Sequence, residues 1–149
     1  LTQSSLLIIT NIHKEGVMSN KKLGNSFETE FCEILAEEGF WTHNLAQNSA
    51  GQPADVIAVK DGKAYLIDCK VCSRDRFSIN RIEENQELSM ELWRDCGNGE
   101  GWFALEFSDQ VYMVTLCSML RCKNRHGSVT RELAEMYGCT LRDWLWDKQ

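Results

Sequence analysis

Proline is nearly absent from this chain of 149 residues, Pro53 being the only one. With few fixed φ angles, element boundaries must be read from glycines, capping residues and hydrophobic period. Long apolar runs are also missing. The stretch Leu6 to Ile9 is too short for the apolar part of a secretory signal, and no small-residue cleavage pattern follows it. Nothing approaches membrane-spanning length, so a cytoplasmic protein with no membrane partner is expected. Histidine is scarce: His13, His43 and His126 stand alone, without nucleophile or metal-ligand spacing. Basic residues are outnumbered, 16 Lys and Arg against 22 Asp and Glu, for a net charge of −6 and a pI near 5.1. That balance argues against bulk attraction to a polyanion. A nucleic-acid partner would need local positive charge. The candidates are Lys21, Lys22, Lys60, Lys63, Arg74, Arg76 and Arg81, with a second group at Arg121, Lys123 and Arg125. Each of these taken singly is equally an ordinary solvated side chain.

What is present fits one globular domain with a substantial core, 43% of the residues being hydrophobic. There are seven cysteines, an odd number with no secretion signal, which points to free thiols rather than a disulfide framework. The first residue is Leu. Met18 followed by Ser-Asn-Lys-Lys makes an ordinary start, and Lys14-Glu15-Gly16 could be encoded by a purine-rich, ribosome-binding-site-like stretch. Residues 1–17 are therefore expected to be upstream translated sequence or an extension, and 18–149 a single domain with C-terminal helices from about residue 129.

Hydrophobic period predicts a helix from Gly24 to Glu38, with Phe27, Phe31, Ile34 and Leu35 as its buried stripe, Asn25 as cap and Gly39 at its end. Phe40 to Gln47 reads as a strand and Asn48 to Pro53 as a loop. Asp55 to Lys60 and Lys63 to Lys70 read as two strands joined by Asp61-Gly62, a preferred pair for a tight hairpin turn. Ile79 to Asp95 looks helical, with Ile82, Leu88, Leu92 and Trp93 available for burial. Trp102 to Phe107 and Val111 to Leu116 form another hairpin through Ser108-Asp109-Gln110. Short helices are expected at Thr130 to Tyr137 and after Thr140, which has capping-box spacing with Asp143. This order implies an α/β sandwich, a central mixed sheet flanked by helices.

The first hairpin carries the chemistry. Alternation along a strand puts Asp68 and Lys70 on one face and Cys69 on the other. A carboxylate can hold a hard cation, and a neighbouring ammonium can orient water and offset charge on a phosphate. In isolation the pair is equally an ion pair of little energetic worth. Asp55 opens the partner strand, so the hairpin brings it to the same edge. Two carboxylates there repel unless a cation or proton sits between them, and oxygen ligands favour Mg²⁺ or Mn²⁺ over zinc. Asp55 is otherwise a turn-capping residue. Glu28 is a third acid, but Asn25 and Glu28 also have capping-box spacing, and only one of Glu28 and Glu30 can face a common site.

Gly24-Asn-Ser-Phe-Glu28-Thr-Glu-Phe31, Ser49-Ala-Gly-Gln-Pro-Ala-Asp55-Val-Ile-Ala and Tyr65-Leu-Ile-Asp68-Cys-Lys70 together resemble the cellular Holliday junction resolvases of the archaeal Hjc and bacterial RecU types, members of the PD-(D/E)XK nuclease superfamily. The first half is closer to Hjc. Phe77 to Gln86, Gly101 to Phe107 and Val111 to Val114 are similar to RecU. The resemblance spans about Leu23 to Leu120 and implies a homodimeric, Mg²⁺-dependent endonuclease acting on four-way DNA junctions. It implies metal binding by Asp55 and Asp68, with the Cys69 carbonyl and Glu28 as further candidates, and catalytic roles for Glu28, Lys70 and Gln86. Lys21, Lys22, Asn48, Ser49, Arg74 and Arg76 would meet DNA. The sequence departs from the family pattern in having Asp68 where Glu is usual, and Ala54 between Pro53 and Asp55. The part after Leu120 matches no family pattern. The mixture would suit a bacterial, phage or prophage origin.

Three other readings stay open. Cys69-Lys-Val-Cys72 has zinc-ligand spacing, and Cys117 and Cys122 could complete such a site. The chain could instead be a restriction or repair endonuclease of ordinary duplex DNA, or an inactive nuclease fold that only binds. Among Trp41, Trp93, Trp102, Trp144 and Trp146 there is room for base-stacking residues as well as for core or dimer packing, with Trp144 and Trp146 placed to anchor a terminal helix.

Overall fold

A computed structural model describes residues 20–46 and 51–148, with side chains of the first helix described from Ser26 onward. Residues 1–17, with the boundary expected at Met18, fall outside this range, as do Asn48 and Ser49.

Helix α1 (Asn20–Glu37) begins earlier than the sequence suggests and runs straight through Gly24 and Asn25. Neither residue caps it, so Glu28 lies in the helix body and not in a capping box. The physical reason is tertiary: Phe27, Phe31, Ile34 and Leu35 are all buried, and that stripe stabilises the helix more than one interior glycine weakens it. The helix stops where expected. Gly39 takes φ +87°, and Gly39 and Phe40 N–H groups donate to the carbonyls of Ala36 and Leu35.

Strand β1 (Trp41–Asn44) is shorter than predicted and pairs antiparallel with β2 (Val56–Lys60), which turns into β3 (Lys63–Val71). Asp61 and Gly62 both have positive φ, 52° and 73°, as the predicted turn requires. β5 (Trp102–Glu106) then lies parallel to β3 and antiparallel to β6 (Val111–Thr115). A parallel neighbour needs a crossover. Here it contains a 3₁₀ turn (Ser73–Asp75), β4 (Arg76–Ser78), a second 3₁₀ turn (Ile79–Arg81) and helix α2 (Glu84–Asp95).

The helix predicted from Ile79 to Asp95 is thus broken in two. Its buried face also differs: Leu88 and Leu92 are exposed, at 57% and 64%, while Gln86 and Met90 are buried. Counted from Ile82 at helical spacing, the buried stripe runs through Gln86, Met90 and the half-buried Trp93, and Leu88 and Leu92 fall on the opposite side. Helix α3 (Leu116–Arg125) was not read from the sequence. Its signal was there: Thr115 caps it by accepting from Ser118 N–H at 3.2 Å, and Leu116, Met119 and Cys122 make a buried stripe. β7 (Ser128–Thr130) pairs with β4 in a separate two-stranded sheet. Helix α4 (Arg131–Tyr137), β8 (Cys139–Thr140) and helix α5 (Leu141–Trp146) complete the described chain, and Thr140 Oγ1 accepts from Asp143 N–H at 3.1 Å as its spacing predicted.

The main sheet has six strands in the order β1-β2-β3-β5-β6-β8. On one face α1 and α5 pack over Val56, Ile67, Cys69 and Met113. On the other, α2, α3, α4 and the small sheet pack over Leu66, Phe103, Leu105 and Val114. The expected α/β sandwich with a mixed sheet is what the chain forms. β3 is central, and its C-terminal half holds Asp68 and Lys70.

Candidate active site

The register Val56↔Ile67 puts Asp55, just before β2, beside Asp68 on β3. Both side chains are buried, Asp68 completely. Asp55 is held from two directions: its Oδ2 accepts from Cys69 N–H at 2.7 Å, and its Oδ1 accepts from the Gln52 amide. Asp68 Oδ1 accepts from Gln86 Nε2 at 2.8 Å. Its Oδ2 lies 2.8 Å from Lys70 Nζ, an ion pair without hydrogen-bond alignment. Lys70 Nζ also donates to Gln86 Oε1 at 3.4 Å. Gln86 therefore bridges the acid and the amine, and its Oε1 also accepts from Glu83 N–H at the start of α2.

Electrostatics show what this arrangement costs. Burial, then the Asp55 charge, push the Asp68 carboxyl well above the usual range, against the pull of Lys70. Glu28, half-buried on α1, is raised to about 7 by burial and Asp55, with an opposing hydrogen bond from Asn44 and the Lys70 charge. The five residues Glu28, Asp55, Asp68, Lys70 and Gln86, drawn from a helix, a hairpin and a second helix, are thus brought together around the C-terminal half of β3. Two buried acids that cannot both ionise cheaply leave room for a cation in their energetics. Their oxygen donors suit Mg²⁺ or Mn²⁺ in kind. Among the described residues no three His, Cys, Asp or Glu side chains converge on one point, so Glu28 joins the pair through charge and not as a third ligand in a ready cluster.

Other sequence candidates divide. Arg74 and Arg76 are exposed just beyond Lys70, and Arg74 and Asp75 hold positive φ, 58° and 52°. Such left-handed non-glycine residues cost free energy and cluster at functional sites. Arg81 instead donates to the Val71 carbonyl, Lys60 to the Glu38 carbonyl, and Lys123 pairs with Glu87. Lys21 and Lys22 lie on α1, but their side chains are outside the described set, and Asn48 and Ser49 are outside it altogether. The zinc reading fails on geometry: Cys69 enters the core under α1 while Cys72 enters the opposite one. Trp144 is core, stacked on Phe40, whereas Trp146 is exposed.

Sequence reasoning missed three residues. Gln52 holds Asp55, Asn85 Nδ2 donates to the Gln52 carbonyl at 3.3 Å, and Asn44 meets Glu28. Gln52 stands three residues before Asp55, a spacing that could have suggested the contact; the other two are tertiary.

The fold is shared with a solved structure. A Holliday junction resolvase from Archaeoglobus fulgidus superimposes with a TM-score of 0.65 at 15% identity, over 82% of this chain and 99% of that one. These define a mixed α/β nuclease-like fold with an acid–acid–lysine site. The chain belongs to the archaeal Holliday junction resolvase (Hjc) family, whose model matches residues 19–147. It is 25% identical over 91 residues to the crossover junction endodeoxyribonuclease Hjc of Methanocaldococcus jannaschii, a match covering 61% of this chain and 64% of that relative. The family description is archaeal, which runs against the bacterial or phage origin suggested by the RecU-like middle segment. Among the described residues no helix is long and apolar enough to cross a membrane.

Proposed function

We propose that this chain is a divalent-metal-dependent endodeoxyribonuclease that resolves four-way DNA junctions. The observation that carries the reading is the meeting of Asp55, Asp68, Lys70 and Gln86 around the C-terminal half of β3 in a chain of the Hjc family. The relatives named above are called a crossover junction endodeoxyribonuclease and a Holliday junction resolvase.

In this reading Asp55 and Asp68 hold Mg²⁺ or Mn²⁺, with the Cys69 carbonyl as a further ligand and Glu28 completing the surroundings. When bound, the ion supplies an acidified water and a Lewis acid for the phosphoryl oxygen. Lys70 would orient the attacking water and offset charge growing on the phosphate, an effect strengthened by its near-buried position. Gln86 fixes the distance between Asp68 and Lys70 while accepting no proton. Gln52 keeps Asp55 turned toward the site. Lys21, Lys22, Asn48, Ser49, Arg74 and Arg76 contact DNA. A homodimer sets two such sites on opposed strands, as a two-fold assembly suits a pseudo-symmetric junction. The nuclease works in the cytoplasm.

The test is cleavage of an end-labelled four-way junction and a matched linear duplex, with Mg²⁺ or EDTA, by wild type and Asp55→Ala. Paired Mg²⁺-dependent cuts in the junction alone, lost in Asp55→Ala, are expected. Equal cutting of both substrates would leave a nuclease without junction specificity. Folded protein that cuts neither would be a binding module.

A further inference from the structure

Among the described residues β1 is an edge strand of the main sheet, and three of its four side chains are exposed, Trp41 and His43 on one face and Asn44 on the other. Trp41 is 62% exposed and His43 is exposed beside it. Their rings are nearly parallel, 11° between planes with centroids 6.1 Å apart. Register fixes which way they face. Trp41 is opposite Val59 and His43 opposite Ile57 on β2, and these are opposite Ala64 and Leu66 on β3. Opposed residues share a face and alternate residues repeat it. Trp41 and His43 therefore stand on the face that carries Leu66, Asp68 and Lys70. Thr42, between them, points the other way toward Cys32. Two strand spacings separate β1 from β3, about 10 Å. The next residue, Asn44, touches Glu28 of the candidate site.

We propose that Trp41 and His43 form a stacking platform for unpaired bases of the DNA substrate next to the cleavage site. This rests on the nuclease reading above. Three features select bases as the occupant. Both rings are exposed, and every base has a face to lay on an aromatic ring. The pair stands on the sheet face of Asp68 and Lys70, His43 being in register through Ile57 with Leu66, two residues before Asp68. The chain is acidic, at −6, so phosphate attraction alone gives weak binding, and an uncharged contact adds affinity that salt does not screen. A branch point is where bases lose a stacking neighbour, so it is there that such a surface has something to gain.

The probes are two synthetic four-way junctions, one with two unpaired thymines at the branch and one with abasic residues in their place. Binding is measured in EDTA, so it does not depend on cleavage. Wild type is expected to bind the thymine junction more tightly than the abasic one. Trp41→Ala should weaken thymine-junction binding about tenfold, within the span that alanine substitution of one stacked aromatic usually gives. Trp41→Phe should keep most of the affinity, and the abasic junction should ignore both changes. Equal affinity of wild type and Trp41→Ala for the thymine junction would overturn the platform, as would an equal loss on the abasic one. Sedimentation of Trp41→Ala at the wild-type mass is expected; conversion to a smaller species would assign this edge to a second copy of the chain instead. Junction binding and Mg²⁺-dependent cutting that disregard Trp41 would sink the platform alone, whereas wild type that binds neither probe would sink the nuclease reading with it.

Discussion

Gln86 is a neutral residue buried between charges, and its value lies in what it leaves satisfied. Its amide donates to Asp68 and its carbonyl accepts from Lys70. Gln86→Ala would leave Asp68 Oδ1 buried without a donor. Junction cleavage is expected to fall by about 10- to 100-fold, the usual loss when a residue supporting a metal ligand is removed. Unfolding free energy is expected to drop by about 1–3 kcal/mol, checked by urea denaturation. An acidic residue outside the site sets a pH dependence. Glu106, buried near Glu30, is raised by burial and by that neighbour to about 7 from 4.5. Between those two values the folded chain keeps a proton that the unfolded chain has released. The folded state thus binds more protons there, and stability falls as pH rises through that window. In EDTA, wild type is expected to melt at a lower temperature at pH 8 than at pH 5, and Glu106→Gln should shrink the difference. Glu28, Glu30 and Asp68 are raised in the same direction and add to the difference.

Elements follow from local pattern only where one face decides them. The β2–β3 hairpin was legible because Asp61-Gly62 admits one kind of turn and the flanking residues alternate. The α1 stripe was legible for the same reason, but its start was not, since burial of Phe27 and Phe31 overrides a weak interior glycine. The segment through helix α2 keeps Ile82 and Trp93 on the core as predicted, but the stripe between them passes through Gln86 and Met90, and Leu88 and Leu92 face outward. Gly138 shows how tightly the C-terminal elements depend on one another. A Cβ there would sit 2.4 Å from the Met113 carbonyl oxygen and 2.8 Å from Val114, where α4 ends and β8 joins β6. The obstacle is backbone, which cannot rotate away. Gly138→Ala is expected to destabilise by about 1–3 kcal/mol in a denaturant titration. Gly101→Ala first meets the Met90 side chain, at 2.5–2.7 Å, and should cost less because methionine can change rotamer.

For the whole molecule, the metal proposal has a readout that needs no DNA. Asp55 and Asp68 repel in the apo protein, and an ion that binds only the folded state stabilises it by mass action. Millimolar Mg²⁺ is therefore expected to raise the melting temperature relative to EDTA at pH 8, and Asp55→Asn should abolish the rise. No Mg²⁺ effect on wild type would count against Asp55 and Asp68 as its ligands. The sequence by itself determined the hairpin, the side of β3 on which Asp68 and Lys70 stand, the mixed α/β class and the family likeness, because turn chemistry and strand alternation are set by neighbours along the chain. Only the tertiary structure decided that Glu28 is freed from helix capping, that Gln86 and not Leu88 or Leu92 is the buried face of α2, that Gln52 and Asn44 hold the acids, and that Trp41 is left bare on the same face. Each of these depends on which distant surfaces meet, and burial of those surfaces outweighs the small local preferences that a sequence displays.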